Sequence, residues 1–180
     1  PKDDYQWADG TKDPKSVQWS IGRANIASVP TQTGSLTYNG SVQSPTWSGY
    51  DTSKMTLGGT TSGTNAGSYA ATFTPKANYQ WTDGTTAAKE ATWTIGRATV
   101  STLPSQSGSL TYTGSAQSPT WANYDTTKLT IGGATSGTNA GTYTATFTPT
   151  SNYQWDGGGI GPQSVKWSIG KAAGSLTLNR

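Results

Sequence analysis

Cysteine and histidine are both absent from this 180-residue chain. Without cysteine there are no disulfides, thiolate metal sites or cysteine nucleophiles. Without histidine there is no imidazole general base and no imidazole-ligated metal. Charge is scarce as well, at 12% of residues with a net of +3. Lys54, Lys76, Lys89, Lys128 and Lys166 lie far apart in sequence, so the basic run or cluster of a nucleic-acid binder is missing. No apolar run approaches the roughly 18 residues that span a bilayer, and no signal peptide is visible. Helical periodicity is missing throughout.

What is present is a repeat. Arg23-Ala24 returns as Arg97-Ala98, Gly34-Ser35-Leu36-Thr37-Tyr38 as Gly108-Ser109-Leu110-Thr111-Tyr112, and Asn78-Tyr79-Gln80-Trp81 as Asn152-Tyr153-Gln154-Trp155. The offset is a constant 74 residues, and 23–96 matches 97–170 at roughly 44 positions, which points to recent duplication. Residues 1–22 fit the register as the tail of an earlier copy, since Tyr5-Gln6-Trp7 and Trp19-Ser20-Ile21-Gly22 match Tyr79-Gln80-Trp81 and Trp93-Thr94-Ile95-Gly96. Residues 171–180 start the next copy or a linker. The expected organisation is therefore a partial unit over 1–22, whole units over 23–96 and 97–170, and a restart over 171–180. A chain beginning at Pro1 in mid-repeat is expected to be a piece of a longer protein, with any export signal, anchor or terminal domain outside it.

Units of this size bury a modest fraction of their surface. Large aliphatics are few, so eight Trp, nine Tyr and two Phe must carry the cores. Short alternating stretches separated by turn residues every 8–12 positions predict an all-β sandwich. Tyr69, Ala71 and Phe73 share one face, as do Trp93 and Ile95, with copies at Tyr143, Ala145 and Phe147 and at Trp167 and Ile169. Shorter β-prone pieces are Leu36–Tyr38, Gln43–Trp47 and Met55–Leu57. Tyr38-Asn39-Gly40-Ser41 reads as a two-residue hairpin turn. Pro45 and Pro119 mark an edge strand or a strand's first residue. Trp47, Trp93, Trp121 and Trp167 are expected in the cores. Asn65-Ala66-Gly67-Ser68-Tyr69 and its copy ending at Tyr143 read as tyrosine corners, with buried rings whose hydroxyls bond back to the loop backbone.

These residues resemble a family. Asn139-Ala140-Gly141-Thr142-Tyr143-Thr144-Ala145-Thr146-Phe147-Thr148-Pro149, then Asn152-Tyr153, then a closing Trp167-Ser168-Ile169-Gly170-Lys171-Ala172 is similar to the bacterial immunoglobulin-like domains of the MBG ("mostly β with glycine") type. The resemblance covers both whole units and both partial ones. It implies tandem immunoglobulin-like sandwiches in an elongated rod, as in bacterial surface adhesins and phage structural proteins. It also implies an extracellular place, on a bacterial surface, secreted or on a virion, and a stalk or display role. It transfers no catalytic residue.

Chemistry is thin. Only Asp51 and Asp125 recur as acids between the copies, whereas glycoside hydrolysis needs two facing carboxyls; each reads as a turn residue. No Asp-x-Asp pattern offers calcium its oxygens. A Lys–Asn cross-link, Lys54 to Asn65 and Lys128 to Asn139, would need a buried acid beside it. Asn39-Gly40-Ser41 matches a glycosylation acceptor, but the turn accounts for it. No catalytic residue, cofactor or metal is expected. The candidate binding residues are Tyr5, Trp7, Tyr79, Gln80, Trp81, Tyr153, Gln154 and Trp155, in loops between the last two strands of each unit. Such aromatics either stack on surface carbohydrate, multiplied along the array, or cap the sandwich and wedge into the joint with neighbouring repeats. Burial of Trp81 and Trp155 against the following unit favours a stalk; an exposed platform favours a carbohydrate- or receptor-binding module. For 1–22, whose other strands are missing, an ordered strand implies one of three completions: a permuted unit that opens with 1–22, strand addition to the first whole unit or to a neighbouring chain, or the missing part of a longer chain that completes its fold. The last two are favoured, because Lys171-Ala172-Ala173 restarts the repeat where Arg23-Ala24 does.

Overall fold

A computed structural model of the chain describes residues 1–174, so the restart expected over 171–180 lies partly outside the described residues. All regular structure among these residues is β. The first repeat holds β1 (Ala24–Ile26), β2 (Thr31–Thr33), β3 (Leu36–Thr37), β4 (Thr46–Ser48), β5 (Met55–Gly59), β6 (Gly67–Pro75), β7 (Tyr79–Trp81) and β8 (Lys89–Gly96). The second repeats the set as β9 (Ala98–Val100), β10 (Ser105–Ser107), β11 (Leu110–Thr111), β12 (Thr120–Ala122), β13 (Leu129–Gly133), β14 (Gly141–Pro149), β15 (Tyr153–Trp155) and β16 (Gln163–Gly170). Each repeat has a four-stranded sheet, β3-β8-β6-β5 and β11-β16-β14-β13, and two two-stranded pairs.

Alternation builds the main sheet. On β6, Ala71 and Phe73 are buried while Gly67 and Ser68 face water; on β8, Trp93 and Ile95 are buried between exposed Thr92, Thr94 and Gly96. Antiparallel pairing sets Tyr69 opposite Trp93 and Ala71 opposite Ala91, so one face of both strands is lost to water together. Beyond the two residues where β3 pairs in parallel with β8, a side chain continues the ladder. The Gln32 amide donates to the Thr94 carbonyl at 3.2 Å and accepts the Thr94 N–H at 2.9 Å. Gln106 and Ser168 do the same in the second repeat. A glutamine amide presents an N–H donor and a C=O acceptor side by side, as the N–H and C=O of one strand residue are, so it stands in for a missing strand residue.

The pair β2–β4 lays Trp47 edge-on against Phe73, with ring centres 5.0 Å apart at 83°, and Trp121 meets Phe147 at 4.9 Å. These two tryptophans are half-buried, unlike Trp93 and Trp167, because each sits in a three-residue pair with one flank open. Pro45 and Pro119 stand buried just ahead of β4 and β12, where no ladder N–H is needed.

Tyr69 and Tyr143 donate their hydroxyls to the Asn65 and Asn139 carbonyls at 2.6 and 2.7 Å. They are half-buried, not fully enclosed. Each ring stacks on a tryptophan, 4.5 Å from Trp93 or Trp167, and Tyr69 also lies close against Gly63. A Cβ at Gly63 would sit 2.5 Å from that ring, so the close approach requires glycine.

Three further sequence expectations change. Asn39-Gly40 does turn, with Gly40 at φ 79° and the Asn39 side chain accepting the Ser41 N–H, but it joins no hairpin. β3 leaves the turn to pair with β8, and Gln43 beyond it bridges Gly63. Tyr79-Gln80-Trp81, read as loop, is strand β7 in parallel register with β1. Residues 1–22 contain no strand, and Ser16–Ile21 is exposed and unpaired.

Candidate functional site

β7 alternates as any strand does, so neighbouring members of the Tyr-Gln-Trp motif face opposite ways. Trp81 points inward among Ile26, Met55 and Phe73 and keeps 1% of its surface exposed; Trp155 in the second core keeps 4%. Gln80 points outward and donates to the Asn25 side chain at 3.1 Å. Tyr79, Tyr153 and Gln154 are half-buried. Each buried indole lies in its own repeat's core, away from the neighbouring unit, and its N–H needs a partner there. Trp81 donates to the Ala87 carbonyl and Trp155 to the Gly161 carbonyl, both at 2.8 Å.

That partner is provided by a loop wrapped around the tryptophan. The Trp81 N–H bonds the Thr85 carbonyl and the Gly84 N–H bonds the Trp81 carbonyl. The Asp83 carboxylate accepts the Thr85 N–H at 2.9 Å and its hydroxyl at 2.6 Å, while Lys89 bonds its second oxygen at 2.6 Å and lies 5.2 Å over the indole. These bonds, led by the one from Lys89, hold the Asp83 carboxyl well below the usual range. In the second repeat Gly157 replaces Asp83 and turns through a φ of 84° that Asp83 does not adopt, while Gly158 at 88° matches Gly84 at 80°. The loop bonds Trp155 to Gly159 and Gly158 to Trp155 are retained.

Residues 5–15 form this loop a third time. The Trp7 N–H bonds the Thr11 carbonyl, the Gly10 N–H bonds the Trp7 carbonyl, and the Trp7 indole donates to the Asp13 carbonyl at 2.8 Å. Asp9 accepts from Thr11 and pairs with Lys15, which lies 5.5 Å over the Trp7 ring. The Lys15 contact is the main reason that the Asp9 carboxyl is also lowered. No core lies beneath it: Trp7 is 40% exposed and Tyr5 69%.

The residue before the motif makes the contact between repeats. The Asn152 side chain accepts the Ala66 N–H at 2.8 Å and donates to the Asn65 side chain at 3.1 Å. Tyr153 meets Tyr38 edge-on, with centroids 5.5 Å apart. Asn152 and Tyr38 are half-buried, whereas their counterparts Asn78 and Tyr112 are exposed. Neither asparagine was singled out as a joint residue by sequence reasoning. The signal was there, since Asn65 and Asn78 both recur in the second copy.

Other candidates resolve into local structure. Asp51 accepts the Ser53 N–H at 2.8 Å and its hydroxyl at 2.6 Å, with Lys54 at 3.1 Å. The Ser53 hydroxyl above all lowers its carboxyl to about 2. Asp125 repeats this with Thr127 and Lys128 and is lowered too. These lysines thus face aspartates, Asn65 faces Asn152, and no polar side chain among the described residues is buried. The acid that a Lys–Asn cross-link requires is therefore missing. A cavity of about 350 Å3 beside Val100, Tyr124 and Leu129 includes Asp125 and Lys128, already paired with each other. Among the described residues no helix is long and apolar enough to cross a membrane, and no three acidic side chains gather as metal ligands. Compared with known proteins, the chain matches no family model and no curated protein sequence.

Proposed function

We propose that this chain is a non-catalytic structural segment, two immunoglobulin-like sandwiches in tandem. On this reading it spaces or displays a distal domain on a bacterial surface, on a secreted adhesin-like protein or on a phage virion. The resemblance to MBG-type repeats points there. The observation that carries the reading is the joint. One residue, Arg97, separates β8 from β9, and Asn152 and Tyr153 clamp onto Asn65, Ala66 and Tyr38 across it. A linker this short, fixed by side chains that each copy carries, restricts bending. A stalk needs stiffness, and each added unit would renew the same joint.

The alternative is carbohydrate or receptor binding through the Tyr-Gln-Trp motif. Two of its three indoles are sealed in cores, and a buried ring offers no face for a sugar. The stalk reading is therefore preferred. Small-angle X-ray scattering tests it: a compact chain of this length has a radius of gyration of roughly 16 Å, and a stiff rod gives a clearly larger value with a narrow distribution. A value near the compact one, or a broad distribution that Asn152→Ala leaves unchanged, would overturn it.

A further inference from the structure

We propose that Tyr38 and Tyr153 form an oxidative cross-linking site, where a diffusible one-electron oxidant couples the two rings into dityrosine across the joint between the repeats. Their contact motivates this. The ring centroids lie 5.5 Å apart with planes at 77°, and among the described residues no other two tyrosine rings meet. Other tyrosine rings are engaged within their own repeats. Tyr69 and Tyr143 stack on tryptophans, and Tyr50 and Tyr124 lie against Phe73 and Phe147. Without cysteine, no disulfide can join the two units, but a phenol pair can.

The backbone holds each ring at the joint. The Tyr38 N–H bonds the Gly96 carbonyl at 2.9 Å, and Tyr153 pairs with Ala98 in the parallel register of β15 and β9. The two tyrosines are thus fastened to the residues on either side of Arg97. Asn152, next to Tyr153, adds its bonds to Asn65 and Ala66. Each copy fastens its own tyrosines in the same way, with the Tyr112 N–H bonded to Gly170 and Tyr79 paired with Ala24. One repeat unit therefore carries both halves of the pair. Tyr38 and Tyr153 are half-buried, so part of each ring stays open to a small oxidant and to the water that takes its proton.

Each phenol gives one electron to the oxidant and one proton to water, leaving a neutral radical with spin density on the ring carbons ortho to the oxygen. A carbon–carbon bond then forms between one Cε of Tyr38 and one Cε of Tyr153. The hydrogen on each of those carbons moves to the phenol oxygen as the rings regain aromaticity. Two equivalents of the oxidant are reduced, two protons are released, and no atom is added. The edge-on geometry is the resting contact; χ2 of a tyrosine is a broad torsion, so small ring rotations bring the ortho carbons together. Because the rings are already neighbours, coupling needs no collision between chains. The use of such a bond, a joint that stays shut under load, rests on the stalk reading; the site itself does not.

The test uses the full chain, dilute, with tris(bipyridyl)ruthenium(III) generated by light and persulfate as the oxidant. The expected product is a monomer lighter by two hydrogens, with dityrosine fluorescence. Its proteolytic map should join the peptide of Tyr38 to that of Tyr153. Tyr38→Phe and Tyr153→Phe keep the ring contact and should each lower the yield of this product by about tenfold, while Tyr79→Phe should leave it unchanged. Uncoupled tyrosines, cross-links solely between chains, a map joining other tyrosines, or a yield that Tyr38→Phe does not reduce would overturn the proposal. Small-angle scattering on the cross-linked monomer reads the stalk separately. A compact molecule that carries the bond would overturn the stalk reading and leave the site standing.

Discussion

Residues 1–22 and 75–96 carry closely related sequence in two surroundings. The loop around Trp7 closes with the same bonds as the loop around Trp81, while Ser16–Ile21 stays unpaired and its counterpart in β8 is a core strand. The loop's partners all lie within about ten residues, so ordering it needs only local contacts. A strand needs donors, acceptors and an apolar neighbour from elsewhere in the chain, and a lone strand in water has none of them.

The largest expected effect separates the two copies of the tryptophan. Trp93→Ala should destabilise the first repeat by about 3–5 kcal/mol, the range for a buried large aromatic, whereas Trp19→Ala should fall within about 0.5 kcal/mol of the parent. Urea titration checks both, and a large loss from Trp19→Ala would place that residue in a core. Next in size, Gly63→Ala should cost about 1–3 kcal/mol, because its Cβ would overlap the Tyr69 ring that stacks on Trp93. Equal stability to the parent would show that the ring is loosely held. Smaller again, Tyr69→Phe should cost about 1 kcal/mol, the net value of one hydrogen bond, and Tyr143→Phe the same.

The smallest effect is the pH response. Asp51 falls from 3.8 to about 2 on folding, so its stabilisation is complete above pH 3.8 and is lost as pH falls toward 2. Asp9 shifts in the same direction through Lys15. An NMR titration should find Asp9 below 3.8 in the parent and nearer 3.8 in Lys15→Ala. An unchanged value in that variant would mean that the loop at 5–15 is not held as its counterpart is.

The long strands were legible because β6, β8 and their copies alternate over eight or nine residues, enough for the pattern to stand out. β1 and β7 were not, since each is three residues long and its parallel partner lies more than fifty positions away. Nothing in Gln32 announces that its amide will serve as part of a strand. The Tyr-Gln-Trp motif was visible as unusual, but the burial of Trp81 depends on Ile26, Met55 and Phe73 arriving from three other strands. The joint residues Asn65 and Asn152 went unnoticed because single asparagines read as turn formers.

Amide hydrogen exchange on dilute protein tests the central contrast most directly. The account predicts that Ser16–Ile21 exchanges at near-intrinsic rates while 90–95 and 164–169 are protected to the level of global unfolding, with the Trp7, Gly10 and Thr11 amides slowed between these extremes. Protection of Ser16–Ile21 equal to that of β8 in the monomer would contradict it.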